Sequence, residues 1–260
     1  MNQVSSPQRN ILLVLQYDGG RYCGWQRQNN AISVQQVVEE ALEPLAGAPV
    51  KLTAAGRTDA GVHAAGQVVN FHTNAAHAAD VFRRAGNSRL PEDVAILEAR
   101  DIPQEFSARY DARERWYRYR LHIGPVRPVF ERDLQWHVLF PLHAERAKEA
   151  AALFCGQHDF QAFRSIQCTA SRTVLDMKEC RLSIDGEHWN LDLRCRSFLH
   201  NMVRILVGAI VEVARGRLEF ADLKRALESG QRDPRIPTAP PHGLSLIGVS
   251  YPCLDFRSGL

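Results

Sequence analysis

Features common in metal-binding and secreted proteins are missing from this chain of 260 residues. None of its six cysteines forms a pair separated by two residues, the usual spacing in zinc and redox sites. No His-Glu-x-x-His motif occurs among its ten histidines. The cysteines are therefore interpreted as reduced thiols, and no metal site is expected. They are Cys23, Cys155, Cys168, Cys180, Cys195 and Cys253.

Long apolar runs are also missing. The longest, at residues 203–214, includes Arg204 and Glu212 and is too short and too charged to span a bilayer. The first six residues are polar and lack the apolar core of a signal peptide. These absences predict a cytoplasmic protein with no membrane partner. The length suits one large domain or two modest ones.

Lysine is scarce, since it supplies only four of the 32 basic residues and the other 28 are arginine. Arginine suits bidentate phosphate contacts and stacking on bases, although a GC-rich genome would also raise the arginine count. Seven arginines fall within residues 109–132, which also hold Tyr110, Trp116, Tyr117 and Tyr119. Cations interleaved with flat rings are typical of nucleic-acid surfaces, so this segment predicts one.

The loop at residues 56–63 carries the most informative pattern, Gly-Arg-Thr-Asp-Ala-Gly-Val-His. Two glycines, which tolerate backbone geometries that other residues avoid, flank Asp59. Functional residues often lie on such loops between ordered elements. The alternative is an ordinary turn in which Asp59 bonds its own backbone. An arginine, a threonine and a histidine in the same loop favour a functional site.

Apolar periodicity predicts an α+β fold in which each half has a few antiparallel strands backed by helices. Residues 171–173, Ser-Arg-Thr, echo the Arg-Thr of the earlier loop and indicate two similar halves, 8–105 and 106–252. A central cleft between them is expected to hold the active site. The predicted strands are 11–17, 50–55, 66–72, 94–100, 117–123, 174–184, 188–195 and 244–251, and the predicted helices are 33–45, 81–87, 144–155, 198–214 and 220–228.

The loop around Asp59, followed by Gln-Val-Val-Asn-Phe at residues 67–71, resembles the catalytic motif of the tRNA pseudouridine synthase A family. Further stretches agree in order and spacing over nearly the whole chain, from residue 11 to residue 252. They are Tyr17-Asp18-Gly19, Tyr22-Cys23-Gly24-Trp25-Gln26, Tyr117-Arg118-Tyr119, Asp159-Phe160, Phe163-Arg164, Ser171-Arg172-Thr173, residues 198–204 and Gly243-Leu244.

This resemblance implies an isomerase without a cofactor that converts uridine to pseudouridine at positions 38, 39 and 40 of the tRNA anticodon stem-loop. It also implies the pseudouridine synthase fold, an α+β fold whose mixed, mainly antiparallel sheet is flanked by helices and runs through two similar halves. A homodimer and contacts to the anticodon arm and elbow of tRNA are implied as well. The first half would carry the catalytic aspartate loop. The second half would complete the active site and the RNA surface.

The resemblance also implies roles for individual residues. Asp59 matches the nucleophile or base that starts glycosidic cleavage, Arg204 its ion-pair partner, and Tyr117 the ring that stacks on the target base. Leu244 matches the residue beneath that base, and Arg57 the arginine that helps to hold the flipped nucleotide. The expected phosphate contacts are Arg21, Arg27, Arg109, Arg113 and Arg164.

Each of these assignments has a structural alternative. Without the resemblance, Tyr117 and Leu244 would be core residues, and Arg204 would be an arginine extending from an apolar helix face. The phosphate-contact arginines could equally be solvated surface. His63 is expected to make a structural hydrogen bond rather than to transfer a proton.

Three other functions compete with tRNA 38–40 modification. A non-catalytic RNA chaperone would be indifferent to the loss of Asp59. An aspartate-dependent hydrolase would require a metal or a second carboxylate, and none stands at motif spacing. A pseudouridine synthase with a different RNA target would share the chemistry and differ in its surface.

Overall fold

The computed structural model of the chain describes residues 8–252 and residue 254. Cys253 and the terminal segments, which the cysteine and signal-peptide interpretations include, lie outside this described part. The described chain forms two compact units: residues 8–113 with the segment from 246 onward, and residues 114–245. The described residues after 245 thus belong to the first unit, and the division into halves 8–105 and 106–252 stays a prediction.

The first unit is built on an antiparallel sheet in which β1 (Arg9–Tyr17) is central. β3 (His63–Thr73) and β4 (Val94–Ile102) pair with its two edges, and the short β2 (Thr53–Ala54) pairs with β3. Most of β1 and β3 is buried, because helices cover the sheet and their apolar side chains pack on it. The helices are α1 (Val34–Ala46) and α2 (Ala79–Asn87).

Local signals account for the ends of α1. The Ser33 side chain accepts a hydrogen bond from the backbone N–H of Gln36, as an N-cap serine should. At the other end Gly47 adopts the left-handed conformation and donates its N–H to the carbonyl of Glu43. The predicted start of this helix is therefore confirmed.

The second unit has an antiparallel sheet in the order β5-β9-β8-β7. A further strand, β6, pairs in parallel with the end of β5, so the sheet is mixed. The strands are β5 (Glu114–Ile123), β6 (Trp136–Val138), β7 (Gly156–Asp159), β8 (Val174–Asp185) and β9 (His188–Cys195), and the helices are α3 (Ala144–Leu153), α4 (Met202–Ala214) and α5 (Phe220–Ser229). β10 (Leu244–Ser250) begins in this unit and ends in the first.

These elements confirm the predicted α+β class, with mainly antiparallel strands and helices. The cleft between the halves stays a prediction. Two strands were missed because β6 is only three residues long and β7 contains no apolar side chain to alternate. The helix predicted from residue 198 begins at Met202, because Asn201 before it has φ 60° and interrupts the right-handed geometry.

β5 explains part of the arginine–aromatic pattern. Its side chains alternate, so Tyr117 and Tyr119 are buried on one face while Trp116 and Arg118 lie on the partly solvated face. The Trp116 ring is covered by the guanidinium groups of Arg118 and Arg194, at 5.4 and 4.6 Å from its centroid. The alternation of arginines and aromatic residues along β5 therefore reflects the two faces of the strand.

Close packing at Gly243 predicts an effect on stability. A Cβ at this position would lie 2.7 Å from the Tyr119 ring and 2.9 Å from the carbonyl oxygen of Arg120. We expect Gly243→Ala to lower the free energy of unfolding by about 1–3 kcal/mol, because a buried ring and backbone must move. Urea denaturation measures this loss.

The matched control is Gly248→Ala, since no atom lies within 4 Å of a Cβ built at Gly248. Its unfolding free energy should stay within about 0.5 kcal/mol of wild type. Equal stabilities for the two variants would show that the contact with Tyr119 imposes no constraint.

Candidate active site

The Asp59 loop connects β2 and β3 and is tied to β3 by hydrogen bonds. The Gln67 side-chain amide donates to the carbonyl of Gly56 over 2.8 Å, and the Ala55 N–H donates to the carbonyl of Val68 over 2.8 Å. Within the loop, the Val62 N–H donates to the carbonyl of Asp59 over 3.1 Å. The loop is therefore a closed turn with both ends fixed to the sheet.

A second segment, residues 17–25, packs against the same loop. The hydroxyls of Tyr17 and Thr58 lie 2.9 Å apart, and the Trp25 N–H donates to the carbonyl of Thr58 over 3.0 Å. Gly24 lies in this segment with φ 96°, and a Cβ there would lie 2.6 Å from the Thr58 carbonyl oxygen. Only glycine permits both this backbone conformation and this approach.

Burial raises the pKa of Tyr17 to about 12, while hydrogen bonds from Thr58 and Gln67 act in the opposite direction. The Tyr17 hydroxyl is therefore protonated at neutral pH and can serve as a hydrogen-bond donor. Thr58 and Gln67 are themselves buried. A buried polar cluster whose members bond one another rigidifies its surroundings, and here it lies directly beside Asp59.

The exposed parts of the loop lie around this buried cluster. Asp59 is half-buried and Arg57 is exposed. The buried His63 ring makes the structural hydrogen bond expected of it: Nδ1 lies 3.1 Å from the Gly19 N–H and 3.0 Å from a carboxylate oxygen of Asp18. The loop thus has a fixed backbone, a half-buried carboxylate and a solvated arginine.

In the second unit, Arg204 lies in the first turn of α4 and is held by two acceptors. Its Nε donates to the carbonyl of Ala239 over 2.8 Å, and Nη1 donates to the side-chain oxygen of Asn201 over 3.0 Å. The Ala239 N–H in turn donates to the Arg204 carbonyl over 3.0 Å. The guanidinium therefore has a fixed orientation.

Tyr117 and Leu244 are both buried in the second unit. The ring of Tyr117 meets that of Phe198 edge to face, with centroids 5.1 Å apart. Leu244 follows Gly243, which packs against the ring of Tyr119. Burial raises the pKa of Tyr119, opposed by the positive charge of Arg204.

The arginines predicted to contact phosphate lie on exposed segments of both units. Arg21 pairs with Asp93 at 3.1 Å and Arg27 pairs with Glu39 at 3.2 Å, both in the first unit. Nη1 of Arg164 donates to the carbonyl of Ala170 in the second unit. The two others, Arg109 and Arg113, are exposed in the first unit.

Within the described residues, no group of three or more histidine, cysteine, aspartate or glutamate side chains is arranged to hold a metal ion. The described cysteines, which exclude Cys253, are free thiols. None of the helices in the described part of the chain is long and apolar enough to cross a membrane.

A family model described as tRNA pseudouridine synthase matches residues 13–111 and 150–252, more than half of the chain. The chain belongs to the tRNA pseudouridine synthase family. The resemblance found in the motifs around Asp59 is therefore confirmed at the level of the family. Both matched segments include residues predicted to form the site, Asp59 in the first and Arg204 in the second.

Curated relatives in this family align with nearly the whole chain. A tRNA pseudouridine synthase A from Syntrophotalea carbinolica is 42% identical, covering 96% of this chain and 99% of the relative. One from Pelobacter propionicus is 43% identical, covering 94% and 100%. Among solved structures, an archaeal box H/ACA sRNP Nop10–Cbf5 complex contains a chain at 12% identity and TM-score 0.35, covering 78% of this chain and 44% of that one.

Sequence reasoning missed the groups that support the predicted tRNA pseudouridine synthase site. It named Asp59 as the partner of Arg204, a pairing that stays a prediction, and it did not foresee the bonds from Arg204 to the Ala239 carbonyl and to Asn201 within the second unit. The contact between Tyr17 and Thr58 joins residues 41 positions apart. Only the presence of Tyr17 in the family motif could have indicated it.

The buried hydroxyl pair beside Asp59 predicts the result of Tyr17→Phe. The substitution leaves the Thr58 hydroxyl and the Gln67 amide buried without this partner, which typically costs about 1–3 kcal/mol. Urea denaturation should show that loss. Tyr110→Phe, at an exposed ring, is the control and should leave stability unchanged; equal unfolding free energies for the two variants would contradict the prediction.

Proposed function

We propose that this protein isomerises uridine to pseudouridine at positions 38, 39 and 40 in the anticodon stem-loop of tRNA, without a cofactor. The observation that carries the proposal is the rigid loop that presents Asp59, in a chain that belongs to the tRNA pseudouridine synthase family. Relatives about 40% identical over nearly their whole length carry the name tRNA pseudouridine synthase A.

The reaction requires one carboxylate and no external reactant. The C1′–N1 bond breaks, the same base rotates, and C1′ bonds to C5; C5 then loses a proton while N1 gains one, so the atoms balance. In this scheme Asp59 starts the cleavage as nucleophile or base. Its loop is tied to β3 and to residues 17–25, so the carboxylate is positioned before the substrate binds.

Arg204 is proposed to keep Asp59 ionised and oriented through its positive charge. Its bonds to the Ala239 carbonyl and to Asn201 support this role because they fix the plane of the guanidinium. Tyr117 is proposed to stack on the target base, and Leu244 to pack beneath it. Both are buried side chains, which suits a pocket that must keep a detached base from water.

The remaining assignments concern the grip on tRNA. Arg57 is exposed at the edge of the loop and is proposed to hold the nucleotide after it flips from the stem, a step that costs a few kcal/mol. The protein is proposed to act in the cytoplasm as a homodimer that contacts the anticodon arm and the elbow. The proposed phosphate contacts are Arg21, Arg27, Arg109, Arg113 and Arg164.

The decisive experiment maps pseudouridine on unmodified tRNA transcripts treated with wild type or Asp59→Asn. We expect product at positions 38–40 with wild type, and only background with the variant, which should still bind tRNA because the amide keeps the size of the carboxylate. Substantial product from Asp59→Asn would remove Asp59 from catalysis. Product at other positions would overturn the target, and binding without product by wild type would favour an RNA chaperone.

Arg204→Ala tests the second proposed catalytic residue. Loss of a partner from a charged pair shielded from water costs about 3–5 kcal/mol, so the rate at saturating tRNA should fall about 10²–10⁴-fold. Arg181→Ala is the matched control, since Arg181 lies on β8 and pairs with Glu179 on the surface of the same unit. Equal rates for the two variants, with unchanged melting curves, would exclude Arg204 from the site.

Phosphate contacts predict a steep dependence of tRNA affinity on salt. Five arginine–phosphate contacts would give a slope of log Kobs against log salt of about −4, or about 250-fold weaker binding between 50 and 200 mM salt. Fluorescence anisotropy with labelled tRNA measures this slope. A flat response would show that these arginines are not the RNA contacts.

A further inference from the structure

Tyr110 differs from the other aromatic residues of the arginine-rich segment 109–132. Tyr117 and Tyr119 are buried in β5, and the Trp116 ring is covered by two arginines of its own unit. Tyr110 is 74% exposed. An exposed ring adds little to the stability of the fold when it is held in one position. The support given to Tyr110 therefore points to another role.

The turn that carries Tyr110, residues 107–111, is closed by its own polar groups. The Asp111 N–H donates to the carbonyl of Ser107 over 3.1 Å, and the Ser107 N–H donates to the Asp111 carboxylate over 2.8 Å. The Tyr110 N–H points to the hydroxyl of Ser107 at 3.4 Å. These bonds fix the backbone on both sides of the ring.

A buried network then attaches this turn to the sheet of the first unit. Both backbone groups of Ala108 are used: its N–H donates to the side-chain oxygen of Asn70, and its carbonyl accepts from the hydroxyl of Tyr251. The Asn70 amide donates to Asn10, whose own amide donates to the carbonyl of Phe106. A satisfied buried network of this kind makes its surroundings rigid.

Arg109 contributes a cation to the same surface. Its guanidinium carbon lies 5.4 Å from the centroid of the Tyr110 ring, within the range of a cation–π contact. Arg113, two residues beyond the turn, is also exposed. An aromatic ring between exposed arginines offers a flat surface for a base and positive charges for the phosphates beside it.

We propose that Arg109 and Tyr110 form a platform on which an unpaired base of the tRNA stacks, apart from the base that reacts. This inference rests on the proposed function and adds a specific RNA contact to it. RNA fits this surface better than a protein partner does, because the core of a protein interface is depleted of charged residues, whereas the residues beside Tyr110 are charged. The rigid turn supports the role, since a preorganised ring loses little entropy when a base stacks on it.

The platform and the Asp59 loop are attached to the same strand. Gln67 of β3 bonds the Gly56 carbonyl of the loop, and Asn70 of β3 bonds the turn that carries Tyr110. Gln67 and Asn70 are three positions apart on β3, about 10 Å along the strand, and their side chains point to opposite faces of it. The base that stacks on Tyr110 is therefore expected to be a different nucleotide from the one that reacts.

The test compares Tyr110→Ala and Tyr110→Phe in the full-length protein, using fluorescence anisotropy with an unmodified tRNA transcript. Removing the ring should weaken binding about 5- to 150-fold, the usual effect of losing a stacked base. Tyr110→Phe keeps the ring and should bind within about twofold of wild type. Single-turnover pseudouridine formation at subsaturating tRNA should slow in Tyr110→Ala by a similar factor, because the platform contributes to RNA binding.

The matched control is Phe130→Ala, which removes a fully exposed ring from the second unit and should leave affinity unchanged. Unchanged binding by Tyr110→Ala would overturn the proposal, as would an equal loss in Tyr110→Phe, which would indicate a hydroxyl contact instead of stacking. A change in sedimentation behaviour of Tyr110→Ala would identify a protein contact. A further outcome is that wild type binds tRNA without forming pseudouridine while Tyr110→Ala alone binds it weakly. That result would support the platform and contradict the proposed function.

Discussion

The organisation of the first unit depends on the need to satisfy polar side chains buried in β3. This strand is buried along nearly its whole length, yet it contains Gln67 and Asn70, whose amides must find partners away from water. Gln67 bonds the loop that presents Asp59, and Asn70 bonds the turn that presents Tyr110. Two buried amides thus make a strand of the core into a frame for the two segments that are proposed to act in catalysis and in RNA binding.

The second unit positions its charged residue by a similar use of backbone groups. Asn201 adopts the left-handed conformation, which starts α4 at Met202 and places its side-chain oxygen within reach of Arg204. The Ala239 carbonyl provides the other acceptor. Because one acceptor is a backbone carbonyl and the other belongs to the residue that starts α4, the fold sets the direction of the guanidinium.

Sequence patterns predicted the elements that form by local rules and missed those that depend on distant contacts. Ser33 indicated the start of α1 because an N-cap acts within one turn, and apolar alternation indicated the long strands. β6 is too short for alternation to be informative, and its pairing with β5 is a tertiary contact. For the candidate site, motif residues located the loop around Asp59, but its support from Tyr17 required the folded chain.

The contact at Gly24 has a consequence for how this protein can change. The loop at residues 56–62 and the segment at residues 17–25 meet backbone to backbone, with no side chain between them to absorb a shift. A substitution that moves one segment by less than an ångström therefore displaces the other. Variation in these two stretches is therefore coupled. A library that diversifies either stretch alone will sample mostly misfolded loops, whereas paired changes can preserve the backbone contact between them.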